Sequence, residues 1–247
     1  MIFFDSVSKK YTKEIGAPAH NALIDLSFVV QKGETLGLVG ANGAGKSTTI
    51  KLLMDFIRPT NGTIQLFDGA PNISEVRQKI GYLPEIANFP SNLTVLDLLQ
   101  FTSATCGISK KKLKQRSHEL LTLLELWEVR RRPLRTYSKG MQQRANFAIA
   151  LINDPELLIL DEPMSGLDPM GRQKIIDLII QLKETGKTIL FCSHILEDVD
   201  RLVENILLLH KGKKIYHGTP ENLISEENQS TMTEAFVSRV RSGESYA

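Results

Sequence analysis

The sequence lacks the features that mark several large classes of protein. Its 247 residues include two cysteines, Cys106 and Cys192, far apart and outside any CxxC spacing, which argues against a disulfide framework and against a zinc site. Both are expected as buried, reduced thiols. No run approaches the ~18 apolar residues of a membrane span, and the N-terminal MIFFDSVSKKY meets an acid at Asp5 where a signal peptide would stay apolar. A soluble, cytoplasmic chain is the expectation. Charge of one sign is missing as well: 30 basic against 28 acidic residues leave a formal +2, so the totals carry no footprint of a dedicated nucleic-acid binder. There is no long internal repeat and no low-complexity block. The length suits one large domain or two small ones around a hydrophobic core.

What is present is an alternation of periods. IFFDSVSKKY and ALIDLSFVV read as strands before the turn at Gln31 to Glu34, and TLGLVG reads as a short buried strand ending in a glycine loop. KSTTIKLLMDFI follows, with Ile50, Leu53, Met54 and Ile57 at helical spacing. TIQLF and KIGYLP are further strand candidates, the second stopped by Pro84. Between about residues 94 and 153 three helical patterns run without a strand, so an all-helical insert is expected. Strand and helix signals then alternate through LLILD, GRQKIIDLIIQLKE, TILFCS, ILEDVDRLV and ILLLHKGKKIYHG. Alternation of this kind predicts a mostly parallel sheet covered on both faces, with an antiparallel portion from the early strands. From Thr219 the chain reads as a polar linker with one amphipathic stretch, MTEAFVSRV.

Gly40-Ala41-Asn42-Gly43-Ala44-Gly45-Lys46-Ser47 fits G-x-x-x-x-G-K-[ST] between a predicted strand and a predicted helix, the context that confirms a P-loop. Its glycines let backbone amides turn toward phosphate oxygens, and the helix start adds partial positive charge. Lys46 is expected to bridge the outer phosphates and the Ser47 hydroxyl to ligate magnesium, with Asn42, Gly43, Ala44, Gly45 and Thr48 completing the cradle. A P-loop also needs a carboxylate at the end of a neighbouring strand. LLILD supplies Asp161 for magnesium, and Glu162, where the chain turns, is placed to orient a water for in-line attack.

A second anion-ready feature is TYSKGMQQR. Ser138 stands at an N-cap position before a helix with Met141, Ala145, Ala148, Ile149 and Ile152 on one face. On local sequence alone an ordinary capped helix is the better reading. The P-loop nucleotide, however, already has its own cradle, so this second start is open to a nucleotide held by another molecule.

These motifs together resemble the ATP-binding cassette ATPases, over nearly the whole chain and in the family's order. The resemblance implies a P-loop NTPase fold of the RecA-like kind with an all-helical signature subdomain at about 86–155, within a cassette domain of 1–218 followed by a helical tail of 219–247. It implies ATP and Mg2+, and hydrolysis of ATP between two cassettes, either two copies or one copy and a homologous subunit. Tyr11 takes the place of the residue that stacks on adenine. Ser138-Lys139-Gly140-Met141 stands where the family usually has Ser-Gly-Gly-Gln, so Ser138 and Gly140 are expected to meet the partner's nucleotide. Ser165-Gly166-Leu167-Asp168 matches the D-loop, with Asp168 at the dimer contact, and His194 matches the switch histidine at the terminal phosphate. The coupling glutamine is replaced by Glu85, which can still accept from water or bind magnesium but adds like charge beside phosphates. Glu85 and Lys139 both resemble the exporter branch, in which a single-cassette ATPase serves a separate transmembrane permease at the inner face of the membrane.

Other classes fit less well. A chromosome-type cassette needs a very long coiled coil between the P-loop and Asp161, where this chain has an ordinary insert, and a ribosome-type protein generally carries two cassettes. A P-loop kinase or GTPase explains neither Ser138 nor the D-loop, and there is no NKxD motif. No nucleic-acid partner is expected. The basic runs Lys110 to Arg116 and Arg130 to Arg135 read as solvated faces, or as contacts to an acidic permease segment or anionic lipid. Asn88-Phe89-Pro90 offers an aromatic either to a permease or to local packing.

Overall fold

Three apolar runs form strands buried almost without a break: Thr35–Val39, Leu157–Asp161 and Thr188–Cys192. Near-continuous burial is what parallel strands covered on both faces require. The computed structural model describes residues 1–11, 19–67, 69–86, 89–90 and 92–245; Asn88 lies outside them. The chain divides into two units, one of residues 1–77 and 188–247, the other of residues 78–187. Elements are numbered along the chain.

In the first unit β1 (Ile2–Tyr11) pairs antiparallel with β2 (His20–Val30) on one side and β4 (Asn61–Leu66) on the other. Ile2 and Phe4 are buried while Phe3 and Asp5 face solvent, and Phe4 stacks on Phe28 with ring centroids 4.5 Å apart. A second ladder has β3 (Thr35–Val39) between β7 (Thr188–Cys192) and β8 (Asn205–His210), parallel to both, with β9 (Lys213–Gly218) antiparallel to β8. The helices are α1 (Lys46–Leu53), α2 (Ser74–Arg77), α7 (Leu196–Leu202), α8 (Pro220–Glu226) and α9 (Met232–Ser245).

Helix α1 is shorter than its apolar pattern. Asp55 takes a left-handed conformation, φ 53°, and the Phe56 amide turns back to the Lys51 carbonyl at 2.9 Å, so Ile57 falls outside the helix. The polar stretch after Thr219 is also more ordered than its composition suggests. The Thr219 hydroxyl accepts from the Asn222 amide and Pro220 opens α8. Helix α9 packs against α7, α8 and β9, burying Met232 and Ala235, while Phe236 and Val240 are half-buried. Arg239 pairs with Glu226 at 2.6 Å and with Glu227, and lies over the Tyr216 ring.

In the second unit β5 (Ile80–Leu83) runs parallel to β6 (Leu157–Asp161), with Leu83 opposite Leu160. Between them come α3 (Val95–Thr105), α4 (Lys110–Leu123) and α5 (Lys139–Leu151), packed on one another, and α6 (Pro169–Glu184) follows. Each start is capped. Thr94 and Asp97 form a reciprocal capping box whose hydrogen bonds hold the Asp97 carboxyl below its usual range, while Ser109, Ser138 and Asp168 accept from amides three residues on. Leu99, Leu121 and Phe147 are fully buried in this insert. Cys192 is buried and free; Cys106 is free but only half-buried, at the C-cap of α3. Replacing Phe147 by Ala should cost about 3–5 kcal/mol, read as a lower denaturant midpoint.

Candidate nucleotide site

In the first unit the loop between β3 and α1 is shaped by contacts that side chains would block. A Cβ on Gly40 would stand 2.4 Å from the Leu209 carbonyl oxygen, and one on Gly45, whose φ is 116°, would stand 2.9 Å from the Ala22 oxygen. Glycine at these two positions lets the loop lie against β2 and β8. Turns within the loop and the Gly212 amide, which donates to the Ala44 carbonyl at 3.0 Å, fix its course. Helix α1 starts without an acidic residue in its first turn and without a side-chain cap, an arrangement that suits an anion at its amides. Lys46 is buried, and its ammonium donates to the Gly40 carbonyl at 2.5 Å and the Ala41 carbonyl at 3.3 Å.

These residues line a cavity of about 180 Å3 that runs from Ala41 to Thr48 and is flanked by Tyr11 and His20. Tyr11 and His20 face each other across β1 and β2, so the two rings stand at one edge of the phosphate loop. The Lys9 ammonium lies 5.4 Å from the Tyr11 ring centroid. Exposed His194 follows β7 in the same unit. His20 has no apolar period or motif to betray it in the sequence; only the strand register places it there.

The second unit holds the carboxylates. Asp161 ends β6 half-buried, and Glu162 turns the chain in a left-handed conformation, φ 48°, with a side chain 9% exposed. A buried glutamate at positive φ is a strained arrangement of the kind that persists where a side chain must be aimed. Two buried amides of α5 hold the strand ends. Gln143 donates to the Pro163 carbonyl at 2.7 Å, next to Glu162, and Asn146 donates to the Pro84 carbonyl at 3.3 Å, next to exposed Glu85. Neither amide was visible as a site residue, because both lie within a helix whose pattern shows only its apolar face.

Ser138 caps α5 and its hydroxyl accepts from the Met141 amide at 3.3 Å. With Lys139, Gly140, Gly166 and Asp168 it lines a second cavity of about 400 Å3, which shares no residue with the first. Asp168 caps α6 by accepting from the Gly171 amide at 2.7 Å. Arg144 and Lys174 also line this cavity, and both bond Glu125, Arg144 at 2.6 Å and Lys174 at 2.6 and 2.8 Å. These bonds hold the Glu125 carboxyl below its usual range, Lys174 contributing most.

Strand, glycine loop and lysine-serine helix start define a P-loop nucleotide-binding protein. Residues 23–165 match the family described as ABC transporter, and the chain belongs to that family. It is 42% identical over 208 residues to an uncharacterised ABC transporter ATP-binding protein of Synechocystis sp., covering 83% of this chain and 59% of that protein. It is 36% identical over 213 residues to a Nod factor export ATP-binding protein of Ralstonia nicotianae, covering 85% and 66%. The chain thus spans less than two thirds of the length of either relative. Among solved structures it is similar to a dimeric post-hydrolysis ATP-binding cassette bound to ADP and phosphate, with a TM-score of 0.79, 26% identity, and 89% and 98% of the two chains covered.

Among the described residues no group of three or more His, Cys, Asp or Glu side chains gathers into a metal site, and no helix is long and apolar enough to cross a membrane. Magnesium does not need such a group, since one or two protein oxygens plus phosphates suffice for it. The Ser47 hydroxyl on the phosphate loop and the Asp161 carboxylate are hard oxygen donors of that kind. Replacing Gln143 by Leu leaves the Pro163 carbonyl without its buried donor and should cost about 1–3 kcal/mol. Denaturant unfolding measures that loss as a lower midpoint.

Proposed function

We propose that this chain is the ATP-hydrolysing subunit of a transporter, and that it works as a pair with a second copy or a homologous subunit. The observation that carries the proposal is the second cradle: a helix start at Ser138 with its own cavity, built from residues that the phosphate loop does not use. Each nucleotide is held by the phosphate loop of one molecule and by Ser138 and the Gly140 amide of the other, so ATP draws the two together. Tyr11 stacks on the base. Lys46 and the amides from Asn42 to Thr48 take the outer phosphates.

Ser47 and Asp161 would hold magnesium, with Glu85 as a further oxygen, and the bound ion would supply charge neutralisation for the phosphates. Glu162 orients a water toward the terminal phosphate and accepts its proton, while His194 donates to the phosphoryl oxygens that gain charge. The products are ADP and phosphate. Once the terminal phosphate is free it no longer bridges two molecules, and the pair parts. Asp168 lies at the contact between the halves. With no membrane-crossing helix of its own among the described residues, the cassette drives a separate transmembrane permease at the inner face of the membrane. Export is the direction supported by the Nod factor relative and by Glu85 and Lys139.

A Glu162→Gln variant keeps the shape of the side chain but removes the base. With MgATP it should elute as a dimer and hydrolyse ATP at least about 100-fold more slowly than the parent. A monomeric elution at saturating MgATP would contradict the shared site.

A further inference from the structure

Helix α4 carries cations on two flanks, and the flanks are used differently. On one, Arg116 stands 3.7 Å from the Asp154 carboxylate, and the Asp154 carboxyl is held below its usual range first by a bond from Lys187 and then by the Arg116 and Lys112 charges. On the other, Lys111, Lys114 and His118 recur at i, i+3 and i+7, all three exposed. Among the described residues Lys110, Lys111 and Lys114 make no hydrogen bond and no ion pair. Lys110 and Lys114 stand four apart, a like-charge pair that weakens the helix.

This second flank continues onto the segment after α4. The His118 ring meets Trp127 edge-on with centroids 4.4 Å apart, and the Arg130 guanidinium lies over the Trp127 ring at 3.8 Å. Arg131, next in the chain, is exposed and makes no ion pair among the described residues. Trp127 is half-buried, and among the described residues its indole N–H has no hydrogen-bond partner. Residues 109–118 contain no acid, and Glu128 is the one acid of residues 127–135. The result is a cationic face with an amphipathic ring set in it.

Resting on the reading that this cassette serves a permease at the membrane, we infer that this face binds the anionic surface of the bilayer beside the permease. Lysines on flexible stems match charge spread over many headgroups rather than one fixed carboxylate, and tryptophan is a side chain that settles at headgroup level. Each lysine or arginine held near such a surface contributes about 5-fold in affinity. None of these residues lines either nucleotide cavity, so the contact does not depend on ATP.

The test mixes the full chain with vesicles of phosphatidylglycerol and phosphatidylcholine, or of phosphatidylcholine alone, and follows sedimentation and fluorescence. Trp127 is the chain's only tryptophan, so its emission reports on this face alone. The parent should sediment with the anionic vesicles only, its emission should move to shorter wavelength, and both effects should fade as salt is raised. Lys111→Gln combined with Lys114→Gln should weaken binding about 10-fold or more. Lys51→Gln combined with Lys213→Gln, which removes two exposed lysines from the other unit, should stay within about 2-fold of the parent. MgATP turnover should match the parent in both double variants. Equal binding to both kinds of vesicle, equal losses in the two double variants, or sedimentation without a change in Trp127 emission would overturn the inference. So would tighter binding to polyglutamate than to the anionic vesicles, which would give the face to an acidic protein segment. Vesicle binding is read without nucleotide, so its failure leaves the shared ATP site standing. A Glu162→Gln protein that stays monomeric with MgATP removes the shared site without touching the vesicle result.

Discussion

Amides at a helix start point outward with no carbonyl to receive them, and a phosphate is the ligand that satisfies several at once. Among the described residues three helices, α1, α4 and α5, begin with a lysine and without an acid in the first turn, and of these the starts of α1 and α5 line cavities. The rest of the site is arranged to keep those two starts available. Glycines at 40 and 45 let the phosphate loop lie against its neighbours, and the buried Lys46 is held at the loop by two carbonyls. At the other start Ser138 uses its hydroxyl on one amide, while Arg144 and Lys174 are occupied by Glu125.

Helix α5 connects this second start to the chemistry. Its first turn carries Ser138, Lys139 and Gly140, and its interior carries the amides of Gln143 and Asn146 that hold the chain beside Glu162 and Glu85. A buried side-chain amide bonded to a backbone carbonyl transmits displacement well, because breaking the bond leaves two polar groups unsatisfied. Helix α5 thus links the signature segment to both strand ends of its own unit through hydrogen bonds from its interior.

The phosphate loop, the Asp161-Glu162 pair and the helical insert between them were legible in the sequence, because each depends on local chemistry: glycine conformation, a strand ending in an acid, apolar residues at a period of 3.6. The capped starts at Thr94, Ser138 and Asp168 were legible in principle for the same reason. What was not legible depends on distant partners. The left-handed turn at Glu162 has no glycine to announce it, and Asp55 ends α1 although the apolar pattern continues to Ile57. Helix α8 is seven residues long and mostly polar, so its cap and proline were the only signals. Gln143 and Asn146 were hidden inside a helix pattern.

The most direct measurement mixes two disabled proteins. Lys46→Ala removes the phosphate-loop cation, and Ser138→Asp keeps a helix cap while turning a carboxylate toward the partner's phosphates. If each nucleotide is gripped by two molecules, a mixed dimer has one site carrying both lesions and one site with neither, so the mixture should hydrolyse ATP although each protein alone does not. A mixture no more active than the sum of its parts would mean that phosphate loop and signature act within a single chain.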